Sequence, residues 1–292
     1  MRKALLALPL MTLLLVLAAC DTGTQEDGFE YGEIIGIDPG AGIMEATNNA
    51  IDEYDLDFEV ISGSGPSMVA SLDQAIQNEE WVIVTGWEPH FKFADYDLKF
   101  LEDPEGIFGD IENIHTVARG DVEDDFPELA DFFRNFYLTS EELGDLMGHM
   151  QGADDNATAA REWMEDNEDV YSPWLEGIDV DGEGQRVDLL YVNWAEGIAM
   201  NYLAEAIIED YFNYDVESTE QDPGLLFGNL AEGNGDFFLD AWLPVTHQAY
   251  WDDYSDDLLD LGYNFEGARI GLVVPAYVTI DSIEELNDAL LD

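Results

Sequence analysis

Glu33-Ile34-Ile35-Gly36-Ile37, broken at Asp38-Pro39-Gly40 and followed by an amphipathic stretch from Gly42 to Tyr54, reads as a short strand running into a helix. Phe58-Glu59-Val60-Ile61 is a second β-rich run. Pro66 suits a first helical turn and opens a helix to about Asn78. Trp81-Val82-Ile83-Val84 is a third strand, running out at Thr85-Gly86-Trp87. The order β-α-β-α-β demands parallel strands joined by crossover helices, an α/β fold.

The same order returns from Val187. Val187 to Val192 is a strand, Gly197 to Phe212 a helix, Tyr214 to Ser218 a strand, Pro223 to Ala231 a helix, and Phe237-Phe238-Leu239 a strand ending at Trp242. The two third-strand ends match as strand, Trp, one residue, Pro and then His: Gly86-Trp87-Glu88-Pro89-His90 against Ala241-Trp242-Leu243-Pro244-Val245-Thr246-His247. Two lobes of one architecture are expected, with a mostly helical insert from Phe126 to Trp174 in which Thr139-Ser140-Glu141-Glu142 starts a helix. Asn113 to Ala118 and Arg269 to Pro275 are further strands suited to crossing between lobes. The expected division is residues 31–115 plus 276–292 for the first lobe and 116–275 for the second. Ligands of open α/β sheets lie beyond the carboxyl ends of the strands, so the site is expected in the cleft between lobes.

The 292 residues carry 66 acids against 9 bases, a formal charge of −57, with 12% aromatic and 47% hydrophobic content. The aromatic content separates the chain from acidic disordered proteins, and its length supports a sizeable core. Such a charge excludes nucleic acid and anionic membrane surfaces as partners, since phosphates are neutralised by Lys and Arg. At molar salt the Debye length falls to about 3 Å and self-repulsion is screened. The composition therefore reads as adaptation to a salt-rich solvent.

Met1-Arg2-Lys3 followed by an apolar stretch from Ala4 to Ala19 reads as an export signal; it is shorter than the about 20 apolar residues of a spanning helix. Leu17-Ala18-Ala19-Cys20 resembles a bacterial lipobox, which implies removal of residues 1–19, lipidation of Cys20 and an anchor at the outer face of the cytoplasmic membrane, in the periplasm or at the cell surface. Cys20 is the single cysteine, so no intrachain disulfide forms. Residues 20–30 read as a flexible tether.

Three tryptophans, Trp87, Trp194 and Trp242, fall in loops expected to face the cleft. An aromatic box without a dedicated acid attracts a cation, at roughly 0.5 to 2 kcal/mol per ring, and suits a quaternary ammonium because that group donates no hydrogen bond. The Gly-containing turn before the first helix offers backbone N–H groups to an anion, and His247 adds a donor. A small zwitterion with a methylated ammonium and a carboxylate fits both halves.

Gly36-Ile37-Asp38-Pro39-Gly40-Ala41-Gly42, Thr85-Gly86-Trp87-Glu88-Pro89-His90, Tyr191-Val192-Asn193-Trp194, Ala241 to His247 and Ile270-Gly271-Leu272-Val273-Val274-Pro275, in that order, resemble the glycine betaine-binding lipoproteins of the OpuAC type. Ile114-His115-Thr116 adds to the match, which runs from about Ile34 to Leu286. The resemblance implies a two-lobed periplasmic-binding-protein fold (type II-like), each lobe a mixed, mainly parallel sheet flanked by helices. It implies capture of glycine betaine, or a related osmoprotectant such as proline betaine, for the permease and ATPase subunit of an ABC importer, with no cofactor. It further implies that Trp87, Trp194 and Trp242 surround the trimethylammonium, while the Gly36 and Ile37 amides and the His247 side chain hold the carboxylate. Phe91 stands where such proteins often carry another Trp, and Ala195-Glu196-Gly197 departs from the usual residues after the second cage Trp. A ligand-sensing lipoprotein of the same fold, or a choline binder, is the alternative.

Nothing in the sequence marks an enzyme. Neither a Gly-x-Ser-x-Gly motif nor a P-loop is present, and the four histidines (His90, His115, His149 and His247) lack metal-ligand spacing. Acid pairs arise by chance among so many carboxylates. Asp179 to Gly184 misplaces the glycine of a calcium loop and reads as a solvated linker.

Overall fold

The computed structural model describes residues 28–291. The export signal, the lipidation site at Cys20 and the tether up to residue 27 lie outside the described residues. The expected tether is corrected at its end: Phe29 is buried, packs edge-on against Phe58 and Trp81, and pairs through its backbone with Ala289 and Leu291. An aromatic ring gains too much from burial to remain in a solvated linker.

The first lobe runs β1 (Glu33–Ile35), α1 (Gly42–Glu53), β2 (Glu59–Ile61), α2 (Gly65–Asn78), β3 (Ile83–Glu88) and β4 (Leu98–Phe100). After the first crossing come β5 (Glu112–Arg119), the helical insert, β6 (Arg186–Tyr191), α3 (Ala195–Phe212), β7 (Asp215–Glu220), α4 (Pro223–Ala231) and β8 (Phe237–Leu243). The long strand β9 (Leu258–Pro275) then returns. β1 pairs in parallel with β2 and β3, and β6 with β7 and β8, as the alternating order requires. The sheet order is β2-β1-β3-β9-β5-β8-β6-β7, with β4 also on β9. In each lobe the third strand is flanked by an antiparallel strand that arrives by a crossing: β9 beside β3, and β5 beside β8. This is the two-lobed periplasmic-binding-protein fold.

The expected lobe boundaries move. Glu112–Arg119 pairs entirely with β8 and the first half of β9, so residues 112–115 belong to the second lobe. Arg269–Val273 pairs with β3, which places this end of β9 in the first lobe. The strand also begins eleven residues earlier than Arg269, because Leu258 to Ala268 interleaves acids and glycines with its apolar residues and the strand pattern is diluted.

Local chemistry explains the helix ends. Ser64 caps α2 through a reciprocal box with Ser67, and Pro66 occupies the first turn. Thr139 and Glu142 form the same box on the helix Ser140–Met150. Helix α3 is buried on nearly every side, eleven of its 18 residues being inaccessible; its polar Asn201 donates from Nδ2 to Ser218 Oγ at 2.8 Å, while its Oδ1 is buried without a partner.

Arg119, at the end of β5, ties three segments of the second lobe together. Its Nε donates to Asp236 at 2.7 Å, and its terminal nitrogens donate to Asp121 and Asp125 at 2.5 and 2.6 Å. Asp236 also accepts the Asp188 N–H at 2.8 Å, linking β6 to the strand before β8. Arg119→Leu leaves Asp236 buried without its partner and is expected to lower unfolding free energy by about 3 kcal/mol, measured by urea titration. A change near zero contradicts the assigned role.

Candidate functional site

The three tryptophans predicted to meet do so. Trp87 lies on the last turn of β3, Trp242 on β8, and Trp194 on the residue that leads into α3. All three are buried and line one cavity of about 280 Å³, its open mouth included. Ile37, Gly42 and Ile43 from the first lobe and Glu196, Thr246 and His247 from the second complete the polar and backbone side.

Each of two indole N–H groups is spent on a carboxylate. Trp87 Nε1 donates to Glu196 Oε2 at 2.9 Å, across the lobes, and Trp242 Nε1 donates to Asp240 Oδ1 at 2.8 Å within its own lobe. Such a partner satisfies a buried indole N–H and fixes the ring plane; the third indole N–H, on Trp194, is buried without one. Both carboxyls are wholly buried, and burial pushes their pKa values up: Asp240 well above the carboxylate range, with Glu196 adding to the effect.

His247 is set by its own loop. Its Nδ1 accepts the Trp242 backbone N–H at 3.0 Å, which leaves the proton on Nε2 as a free donor. Burial lowers its pKa to about 3, so it is a neutral donor at any physiological pH. The ring stacks on Trp194, with centroids 5.8 Å apart and planes 20° apart. Glu112 holds the loop between Trp242 and His247, accepting the Val245 and Thr246 N–H groups at 2.9 Å and the Thr246 hydroxyl.

The backbone donors differ in part from those expected. Gly36 does not line the cavity, and its N–H is donated to Ile61 O at 2.9 Å as the β1–β2 ladder continues. Ile37 does line it, and its N–H meets only the Met44 thioether, a weak acceptor, at 3.2 Å. Gly42 and Ile43, not named from sequence, begin α1 at the cavity wall; their N–H groups have no intrahelical acceptor, and the preceding Ala41 supplies no side-chain cap. The signal was present in the glycine turn leading into a helix, but which amides project inward depends on the helix's angle of entry.

Close backbone contacts join the lobes here. A Cβ on Gly42 would land on the Thr246 carbonyl, and one on Gly40 would meet the Gly224 N at 2.8 Å. Tyr250 donates its hydroxyl to Gly40 O at 2.8 Å. His90 is buried outside the cavity, its Nδ1 accepting the Lys92 N–H at 3.0 Å, which is a helix-start role. Ser62 to Pro66 caps α2 and does not line the cavity.

Comparison with known proteins gives the family. The family described as "Substrate binding domain of ABC-type glycine betaine transport system" matches residues 20–166 and 185–290. The glycine betaine/carnitine transport binding protein GbuC of Listeria monocytogenes is 37% identical over 300 residues, covering 98% of this chain and 99% of that protein. Among solved structures, lactococcal OpuAC in its closed form with glycine betaine is 33% identical over 50% of this chain and 58% of its own, with a TM-score of 0.47. ProX from Borrelia burgdorferi is 35% identical over 49% of this chain and 55% of its own, with a TM-score of 0.45. On the family match and the near full-length identity, the chain belongs to the OpuAC family of substrate-binding domains of ABC-type glycine betaine transport systems.

Proposed function

We propose that this protein captures glycine betaine, or a close methylated zwitterion such as proline betaine, and presents its closed form to the permease of an importer driven by a separate ATPase subunit. The observation that carries the reading is one cavity lined by three tryptophans together with His247, whose Nε2–H is a neutral donor, and the residues Ile37, Gly42 and Ile43. The rings attract a trimethylammonium through their quadrupoles and ask no hydrogen bond of it. His247 Nε2–H, the Ile37 amide and the first-turn amides of α1 receive the carboxylate. Since the rings and donors come from both lobes, the ligand stabilises the closed arrangement over the open one, a population shift that the permease reads. The bound molecule leaves unchanged, so the site needs no acid–base pair and no cofactor.

Calorimetry with glycine betaine, proline betaine, choline and glycine is the primary test, with binding of the methylated zwitterions and not of glycine as the expected result. Trp194→Ala and Trp242→Ala are each expected to weaken glycine betaine at least tenfold, and unchanged affinity in both removes the cage. His247→Ala is expected to weaken glycine betaine several-fold more than choline, which has no carboxylate. Equal losses contradict the donor role.

The same reading includes export and a lipid anchor at Cys20, supported by the Leu17-Ala18-Ala19-Cys20 sequence after a basic and then apolar N-terminus. The dispersed acidic surface is consistent with a salt-rich exterior. Cys20→Ser is expected to move the protein from the membrane fraction to the soluble one. Retention on the membrane argues against the anchor.

A further inference from the structure

Glu196 lines the cavity, and its position joins three buried titratable groups. It stands in the first turn of α3, 1% exposed, and bonds Trp87 of the opposite lobe. Lys92 is fully buried, its Nζ 3.9 Å from the Trp87 ring centroid and 3.4 Å from the Trp87 carbonyl oxygen. Lys92 does not line the cavity, whereas the Trp87 ring that its ammonium covers does. Asp240 completes the group: its Oδ1 accepts the Trp242 indole, its Oδ2 is buried without a partner, and a Cβ on Gly197 would strike it.

This arrangement poses an electrostatic difficulty. A cation in front of Trp87 shares that ring with the Lys92 ammonium behind it, and in a desolvated site like charges repel strongly. Glu196, bonded to the ring's edge, is the carboxylate placed to offset both. We propose that Glu196 sets the specificity of the cage: it is the counter-charge that admits a quaternary ammonium in front of Lys92, and capture is accompanied by loss of a proton from the buried Glu196–Lys92 pair. The inference rests on the cage reading above.

The groups facing the pair are Trp87 and Glu88 on β3, His90 just beyond it and Asp240 on β8, with His247 lining the same cavity. Burial pushes Glu196 above the usual carboxylate range and Lys92 below the usual ammonium range, with each charge partly restoring the other. A guest cation disfavours protonated Lys92 and protonated Glu196 alike, so binding releases a proton. Affinity therefore falls as pH drops through neutrality and levels off above it. His90 and His247, both lowered by burial, hold no titrating proton in that range, whereas Asp240, raised by burial and by Glu196, titrates together with Glu196 and counts with the pair in the proton release.

Calorimetry of the unaltered protein with glycine betaine at pH 6, 7 and 8, in buffers of different ionisation enthalpy, counts the protons. Release of a measurable fraction of a proton at pH 7 and at least threefold tighter binding at pH 8 than at pH 6 are expected. Glu196→Gln keeps an acceptor for the Trp87 N–H while removing the charge. It is expected to lose at least tenfold in affinity at pH 8, to flatten the pH profile, and to lose more for choline than for glycine betaine, whose own carboxylate offsets its ammonium. Wild-type binding without proton release at all three pH values overturns the proposal, as does wild-type affinity in Glu196→Gln. If thermal unfolding shows that Glu196→Gln does not fold, the wild-type proton count decides alone. Failure of the unaltered protein to bind any methylated ligand overturns the cage reading and this inference together, whereas binding without proton linkage overturns only this one.

Discussion

A tryptophan that offers its ring face to a cavity gains from a partner for its N–H when water is excluded. For Trp87 and Trp242 the partners are carboxylates, while Trp194 Nε1 is buried without one, and where the two carboxylates sit decides how those walls are assembled. Trp242 is held by Asp240 two residues earlier on the same strand, so that wall is built within the second lobe alone. Trp87 is held by Glu196 from the other lobe, so its orientation is completed only when the lobes meet. One wall is held within a lobe and one across the two. The glycines at 40 and 42 permit this meeting, because any side chain there would keep the two backbones apart.

The same economy appears in the distribution of positive charge. Six of the seven basic residues among those described, Lys99, Arg119, Arg134, Arg161, Arg186 and Arg269, hold acids in ion pairs. Most of these pairs are exposed and contribute little individually; Arg119 differs because Asp236 is buried with it. The seventh, Lys92, is fully enclosed behind Trp87. With so few cations in the chain, the one placed nearest the cavity has the greatest leverage on its electrostatics, because desolvation removes the screening that weakens the others.

Much of the fold was legible because its strands are short, apolar and separated by clear helix starts. The β-α-β-α-β order, its repetition, and the matched Trp-x-Pro turns after β3 and β8 all followed from local pattern. The course of β9 did not, since Leu258 to Ala268 is interrupted by Asp260, Gly262, Glu266 and Gly267 and its pairing with β5 is decided by tertiary contact. Phe29 was misplaced for a related reason: a lone aromatic among acids gives no period, and its burial depends on the distant Leu290 segment. At the site, residue types with unusual chemistry stood out, hence Trp87, Trp194, Trp242 and His247. Glu196, seen only as a departure after the second cage Trp, and Asp240 did not stand out as site groups, because in a chain with 66 acids a carboxylate carries no signal until its burial is seen; Lys92 did not because its enclosure behind Trp87 is tertiary.

The state of His247 follows from the same need to balance charge. A protonated imidazole would bind a carboxylate more strongly than a neutral one. It would also place a second buried cation near Trp194, whose ring stacks on it, and so oppose the ammonium that the proposed ligand carries. Burial and the Trp242 N–H bond to Nδ1 keep the ring neutral while aiming Nε2–H outward from its loop. Donors that carry a dipole rather than a charge, His247 and the amides of Ile37, Gly42 and Ile43, hold an anion without repelling a cation a few ångströms away. For a zwitterion, whose two charges must be received side by side, this division works better than a pair of formal counter-ions: the carboxylate end meets dipoles, and the one adjustable formal charge, Glu196, stays at the ammonium end.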